Sequence, residues 1–246
     1  LTVAAAPELD PATGFPAGLA QDLAAASLLL ARRLHAGGTL WCASPAWPHH
    51  AQHVAVEFVH PVIVGKPALA AVALAAHQLT PTARANMSPG DVLIAIGPAD
   101  DPGVLDLVRR APAWGVTALW VGSGDRPPAG SADHVLWLPT DEMAAHDGRF
   151  ILLYHLLWEL AHVCLEHRGV LEPEPDCDGP VCITCSDEGR LAEVVSASGP
   201  TAQVRIDGVL EEADLALVGD VGVHDLLVVH AGMAITRLDA AGATRP

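Results

Sequence analysis

From Ala17 to Gly38 the chain reads AGLAQDLAAASLLLARRLHAGG, with apolar residues recurring at the spacing of one helix face and paired glycines at the end. That pattern predicts an amphipathic helix stopped at Gly37-Gly38. Beyond it the texture alternates. Short, almost wholly apolar runs at TLWCAS, ALAAVALAA, DVLIAIG, VTALWVG and DHVLWLP predict strands, and HHAQHVAVEFV and PGVLDLVRRAPAWG between them predict helices. Strands apolar on both sides, separated by helices, imply a parallel sheet covered on both faces. Ligands of such sheets lie beyond the carboxyl ends of the strands. Two loops therefore matter most: ASPAWPHH after the first strand and GPADDPG after the third.

The sheet region closes with DGRFILLYHLLWELAHVCLEHRG, a long helix apolar on most sides and ended by Gly169. The acidic, proline-rich VLEPEPDCDGP that follows reads as an extended linker. Beyond it come short alternating runs with turn signals: RLAEVVSA, TAQVRI turning at Asp207-Gly208, VLEEADLALV, DLLVVHAG and AITRLD. These predict a small all-β barrel. The expected division is an α/β domain over 1–168, a linker over 169–180 and a barrel over 181–246.

The 246 residues are 51% hydrophobic and only 17% charged, which implies a folded chain. A net charge of −16 sets the surface against a phosphate backbone, so nucleic acid is not an expected partner. The apolar start is broken by Pro7, Asp10, Pro11 and Pro16, and the closing helix carries His155, Glu159 and His162, so no membrane span is expected. No signal-peptide charge pattern opens the chain, and a cytoplasmic location is expected. Five cysteines in a reducing compartment imply free thiols rather than a disulfide framework.

VCITCSD, followed by RIDGVLEEADLALVGDVGVHDLLVVHAGMAITRLD, resembles the HypC/HupF family of [NiFe]-hydrogenase maturation chaperones over roughly residues 181 to 240. The resemblance implies a small OB-like barrel that carries iron with its cyanide and carbonyl ligands, Fe(CN)2CO. It also implies two partners, a HypD-like maturation protein and the hydrogenase large-subunit precursor. The family's functional cysteine and histidine fall by motif on Cys182 and His230, a soft thiolate donor and an imidazole suited to iron. Here Val181 stands where the family has its initiator methionine. Cys185 completes a C-x-x-C with Cys182 and, with Cys177, a three-cysteine cluster. It reads either as a further metal thiol or as a small apolar residue at a strand start, with Cys177 a linker thiol.

The sheet region is similar to a SIS (sugar isomerase) domain of the phosphoheptose isomerase type, on AQHVAVEFV, PGDVLIAI, GVTALWVG and FILLYHLLWELAHVCLE. This implies a three-layer, flavodoxin-like parallel-sheet domain that forms homo-dimers or homo-tetramers. His53 and Glu57 match the family's histidine and glutamate. The family's catalytic histidine on the closing helix aligns with Glu159 and its glutamine ligand with Ile151. The phosphate loops, near Ser44 and Asp100, have lost their pattern: proline donates no N–H, and Asp100 and Asp101 repel phosphate.

His49, His53 and Glu57 are spaced four apart, so a helix spanning them aligns all three. His155, Glu159 and His162 share a face of the closing helix. Facing each other, the two sets suit zinc, nickel or iron. The competing reading is a solvent or subunit stripe for the first set and a hydrogen-bonded Glu-His pair for the second.

These observations lead to a maturation factor with its iron group on Cys182 and His230 and a degenerate SIS domain for oligomerisation or docking. The alternative is a SIS sugar-phosphate isomerase or carbohydrate-derivative-binding protein, with Glu57 and Glu159 as its acid and base and the barrel as an appendage.

Overall fold

A computed structural model describes residues 18–138, 148–171 and 189–238. They form two compact units. The α/β unit draws on 18–86, 90–109, 117–138 and 148–171, and the barrel unit on 87–89, 110–116 and 189–238.

In the α/β unit, α1 (Leu19–His35) leads into β1 (Leu40–Ala43), α2 (Pro48–Val59), β2 (Ala71–Ala73), α3 (Leu79–Asn86), β3 (Val92–Ile96) and α4 (Pro102–Arg110). β4 (Thr117–Ser123), β5 (His134–Leu138) and α5 (Gly148–Glu166) complete it. The five strands form one parallel sheet in the order β2-β1-β3-β4-β5. Every residue of β1, β3 and β4 is buried, which is why these strands read as unbroken apolar runs. α1 stops where expected: Gly37 sits at φ 92°, and the N–H groups of Gly37 and Gly38 return to the carbonyls of Leu34 and Arg33. That closure uses a left-handed residue, which glycine adopts without a Cβ clash.

One face of the sheet, with Ile94, Ile96, Leu119, Val121 and Leu136, packs on α1, α2 and α5. Leu30 of α1, Phe58 of α2 and Leu153, Leu157 and Trp158 of α5 fill the space between. Each large side chain so buried contributes roughly 1.5–3 kcal/mol. The expectation that no apolar stretch reaches membrane-spanning length needs correcting: α5 is long and apolar enough by length and composition. Its buried side chains serve the unit's own core. α4 ends earlier than its pattern predicts, because Pro112 cannot continue a helix, and a 3-10 turn at Ala111–Trp114 follows.

The barrel unit contains β6 (Arg190–Ser198), β7 (Thr201–Ile206), β8 (Val209–Asp214), β9 (Leu226–His230) and β10 (Met233–Leu238). They close in the order β10-β8-β7-β6-β9, with β10 and β8 parallel and the other pairs antiparallel, an OB-like arrangement. Val194, Val204, Ile206, Leu227 and Val229 alternate inward to make the core. Asp207-Gly208 forms the expected hairpin turn, with φ 50° and 79°. β8 is shorter than VLEEADLALV suggested. It stops at Asp214, whose carboxylate accepts the N–H of Ala216 and turns the chain.

A buried carboxylate joins β6 to the 110–116 segment of the same unit. Glu193, 1% exposed, accepts from Arg110 Nη1 at 2.7 Å and from Trp114 Nε1 at 2.8 Å. Arg110 also donates to the carbonyl of His224.

Candidate functional site

Pro48 opens α2, where its missing N–H is no loss, and the helix then carries HHAQHVAVE with its period intact. The spacing sends His50, Ala51, Val54 and Phe58 into the core and leaves His53 and Glu57 at its edge. α5 runs alongside and brings Tyr154 and His155 to the same place. His53 Nε2 stands 3.2 Å from His155 Nε2 and 3.3 Å from Glu57 Oε1, and His155 Nε2 stands 3.7 Å from that oxygen. Two imidazoles and a carboxylate thus point their ligand atoms at one spot.

These separations fit a metal. With zinc–nitrogen and zinc–oxygen bonds of about 2.0–2.2 Å, the edges of a tetrahedron are about 3.3–3.6 Å long. The donor set, two nitrogens and one oxygen, suits zinc or nickel, and three protein ligands leave one position open. All three side chains are partly exposed, so an ion has direct access.

Behind the ligands lies a polar relay. Tyr154 Oη is 3.0 Å from His53 Nδ1 and 3.4 Å from Nδ1 of the buried His50. Burial, and then the negative charge of Glu57, push the phenol up to about 12. Neither Tyr154 nor His50 was singled out from the sequence. The available signal was a lone tyrosine in an otherwise apolar helix, directly before His155.

The other expected residues are dispersed. His49 is exposed and outside the cluster. Glu159 lies 3.9 Å from Lys66, which also pairs with Glu166 at 2.8 Å. Glu159 therefore stands outside the cluster, and His155, about one turn earlier on α5, stands in it. His162 is fully buried, with its ring nitrogens facing the carbonyls of Trp158 and Pro67 at 2.9 and 3.3 Å. Glu159 thus faces Lys66 and His162 faces backbone carbonyls, in place of the Glu-His pair of the competing reading. Ile151 belongs to the apolar packing and offers no donor.

At the carboxyl edge of the sheet, Asp101 turns its carboxylate inward. Its Oδ1 accepts the N–H groups of Gly103 and Val104, at 2.9 and 3.0 Å, in the first turn of α4. These are the donors that a helix N-terminus would otherwise offer to an anion. Asp100 is exposed beside it, and Ser44 is buried after β1 with no hydrogen-bond partner for Oγ among the described residues.

In the barrel, His230 ends β9 and is partly exposed. It enters a two-residue turn, Ala231-Gly232, with φ 47° and 80°. Cys182, Cys185 and Cys177 lie outside the described residues. Among the described cysteines, Cys42 is buried with its thiol held far above the usual range by desolvation, and Cys164 is raised less.

Residues 191–245 match the model of the HupF/HypC family. The C-terminal barrel is a HupF/HypC-type domain. This match connects the barrel with hydrogenase maturation. The HypC-type barrel is joined to an α/β unit with the fold of SIS domains. A phosphoheptose isomerase from Francisella tularensis is similar at 20% identity and TM-score 0.53, over 62% of this chain and 88% of that one. A phosphoheptose isomerase from Neisseria gonorrhoeae is similar at 22% identity and TM-score 0.50, over 61% and 87%. At these identities the likeness establishes the fold of the α/β unit. No curated protein sequence matches the chain.

Proposed function

We propose that this chain is a [NiFe]-hydrogenase maturation factor whose HypC-type barrel carries or delivers the Fe(CN)2CO group. The observation that carries the reading is the HupF/HypC match over 191–245. Cys182 supplies the thiolate and His230 the imidazole, with a HypD-like protein as donor and the large-subunit precursor as acceptor. The SIS-fold unit serves as a platform for homo-oligomerisation and docking, in the cytoplasm. The test is anaerobic co-purification with a HypD-like partner and infrared spectroscopy. Cyanide and carbonyl stretches should be present in wild type and lost in Cys182→Ala. Wild type without those bands, beside a loaded partner, refutes the carrier role.

A second reading concerns the α/β unit and is favoured by the convergence of His53, Glu57 and His155. We propose that these three hold a divalent ion, zinc or nickel, which supplies a Lewis-acidic centre with an open position when bound. Calorimetric titration of tag-free protein should find one site per chain in wild type and none in His155→Ala. A wild type that takes up neither ion refutes it. Sugar-phosphate isomerisation fits less well, because Asp101 fills the N-terminal donors of α4. Any sugar phosphate that raised the melting temperature by mass action would reverse that ranking.

A further inference from the structure

We propose that Tyr154 is a positioning residue for this metal site, selecting the tautomer of His53 that leaves Nε2 free to bind. The proposal rests on the reading that His53, Glu57 and His155 hold a divalent ion. Neither Tyr154 nor His50 offers an atom to the ion: both act behind it, through the far side of the His53 ring.

The geometry constrains the protons. Tyr154 Oη lies between two ring nitrogens, Nδ1 of His53 at 3.0 Å and Nδ1 of His50 at 3.4 Å. A hydroxyl has one proton to give and an oxygen that accepts, so Tyr154 donates to at most one ring and can accept from either or both. For His53 two arrangements follow. In the first, His50 Nδ1–H donates to Oη and Oη–H donates to His53 Nδ1. His53 then carries its proton on Nε2, facing Glu57 Oε1 at 3.3 Å and His155 Nε2 at 3.2 Å. In that state the metal-binding atom is blocked by its own hydrogen. In the second His53 Nδ1–H donates to Oη, and His53 Nε2 presents a lone pair to the ion.

Protons balance in the change between the two. His53 releases the Nε2 proton to solvent and takes one up from solvent on Nδ1, and the Tyr154 hydroxyl turns from donor to acceptor. The metal-binding arrangement thus fixes the Nδ1–H tautomer of His53, with Tyr154 as its acceptor. A partner behind a ligand imidazole is the arrangement that usually sets its orientation and basicity, and its loss typically lowers metal affinity about 10–100-fold. His155 Nδ1 has no hydrogen-bond partner among the described residues, so His53 is the ligand that Tyr154 can bias.

Zinc is the probe, added to the full chain with 15N-labelled histidine, and long-range 1H–15N spectra read the protonated nitrogen of each ring. In zinc-loaded wild type, His53 is expected as the Nδ1–H form. Tyr154→Phe should keep its circular dichroism and bind zinc about 10–100-fold more weakly. If Tyr154→Phe binds zinc like wild type with the same tautomers, the positioning role is overturned while the metal reading stands. A zinc-loaded wild type in which His53 carries no proton on Nδ1 also overturns it, without needing any variant to fold. A wild type that binds no zinc removes the metal reading and this proposal together.

Discussion

Replacing Glu193 by alanine is expected to destabilise the barrel unit by about 3 kcal/mol. The carboxylate is 1% exposed, with one oxygen 2.7 Å from Arg110 Nη1 and the other 2.8 Å from Trp114 Nε1. Removing one member of a buried ion pair typically costs about 3–5 kcal/mol, because the remaining charge stays desolvated. Here the Arg110 side chain is 16% exposed and keeps its bond to the His224 carbonyl, which places the arginine share toward the low end. The indole N–H that loses the Glu193 oxygen adds to the cost, within the about 1–3 kcal/mol usual for a buried donor. For a domain of this size, 3 kcal/mol corresponds to a fall in melting temperature of about 12–24 °C. Glutamine restores shape but brings an amide donor against two donors, and should lose about 1–2 kcal/mol. Hydrogen exchange followed by mass spectrometry on the full chain reads the effect where it occurs. Peptides within 190–238 should lose protection in Glu193→Ala, and those from β3 and β4 should keep it. Glu193→Ala within about 0.5 kcal/mol of wild type would show that the clamp contributes nothing net.

Three further outcomes are expected. Asp101→Ala should lower stability by about 1 kcal/mol through loss of the cap on Gly103 and Val104, measured by urea denaturation. An unchanged midpoint would mean that solvent replaces the carboxylate without penalty. Ala231→Gly should raise stability by about 1 kcal/mol, since φ 47° costs an alanine what a glycine avoids. A loss instead would show that the alanine methyl packs productively in the turn. The single tyrosine makes Tyr154 readable by ultraviolet titration at alkaline pH. Its phenol is raised from 10.0 to about 12, so the fold favours the protonated form. That contribution is complete below about pH 10 and is lost as pH rises from 10 to 12. A midpoint near 10 in protein that is still folded would contradict the burial of this side chain.

The two fold classes were legible because each rests on a local period. TLWCAS, DVLIAIG and VTALWVG read as unbroken apolar strands, and β1, β3 and β4 are buried along their whole length. The barrel was visible in alternation and in Asp207-Gly208, whose residue types select the turn. Element ends were less legible, since α4 and β8 stop where Pro112 and Asp214 intervene.

The cluster of His53, Glu57 and His155 was half legible. Fourfold spacing puts His53 and Glu57 on one face of α2 whatever that helix packs against, so the sequence alone determined that pair. Which residue of α5 meets it depends on the rotation and axial offset of one helix on the other. The alternatives, His155, Glu159 and His162, lie within about two turns of one another, and nothing in the sequence of α5 distinguishes them. Packing of Leu153, Leu157 and Trp158 into the core decides it. With those side chains inward, His155 faces His53, Glu159 turns toward Lys66 and Tyr154 reaches behind the ligand. The sequence determined which groups each element carries. Only the tertiary structure decided which of them meet, because the hydrophobic burial that docks α5 on α2 is indifferent to the polar residues it brings together.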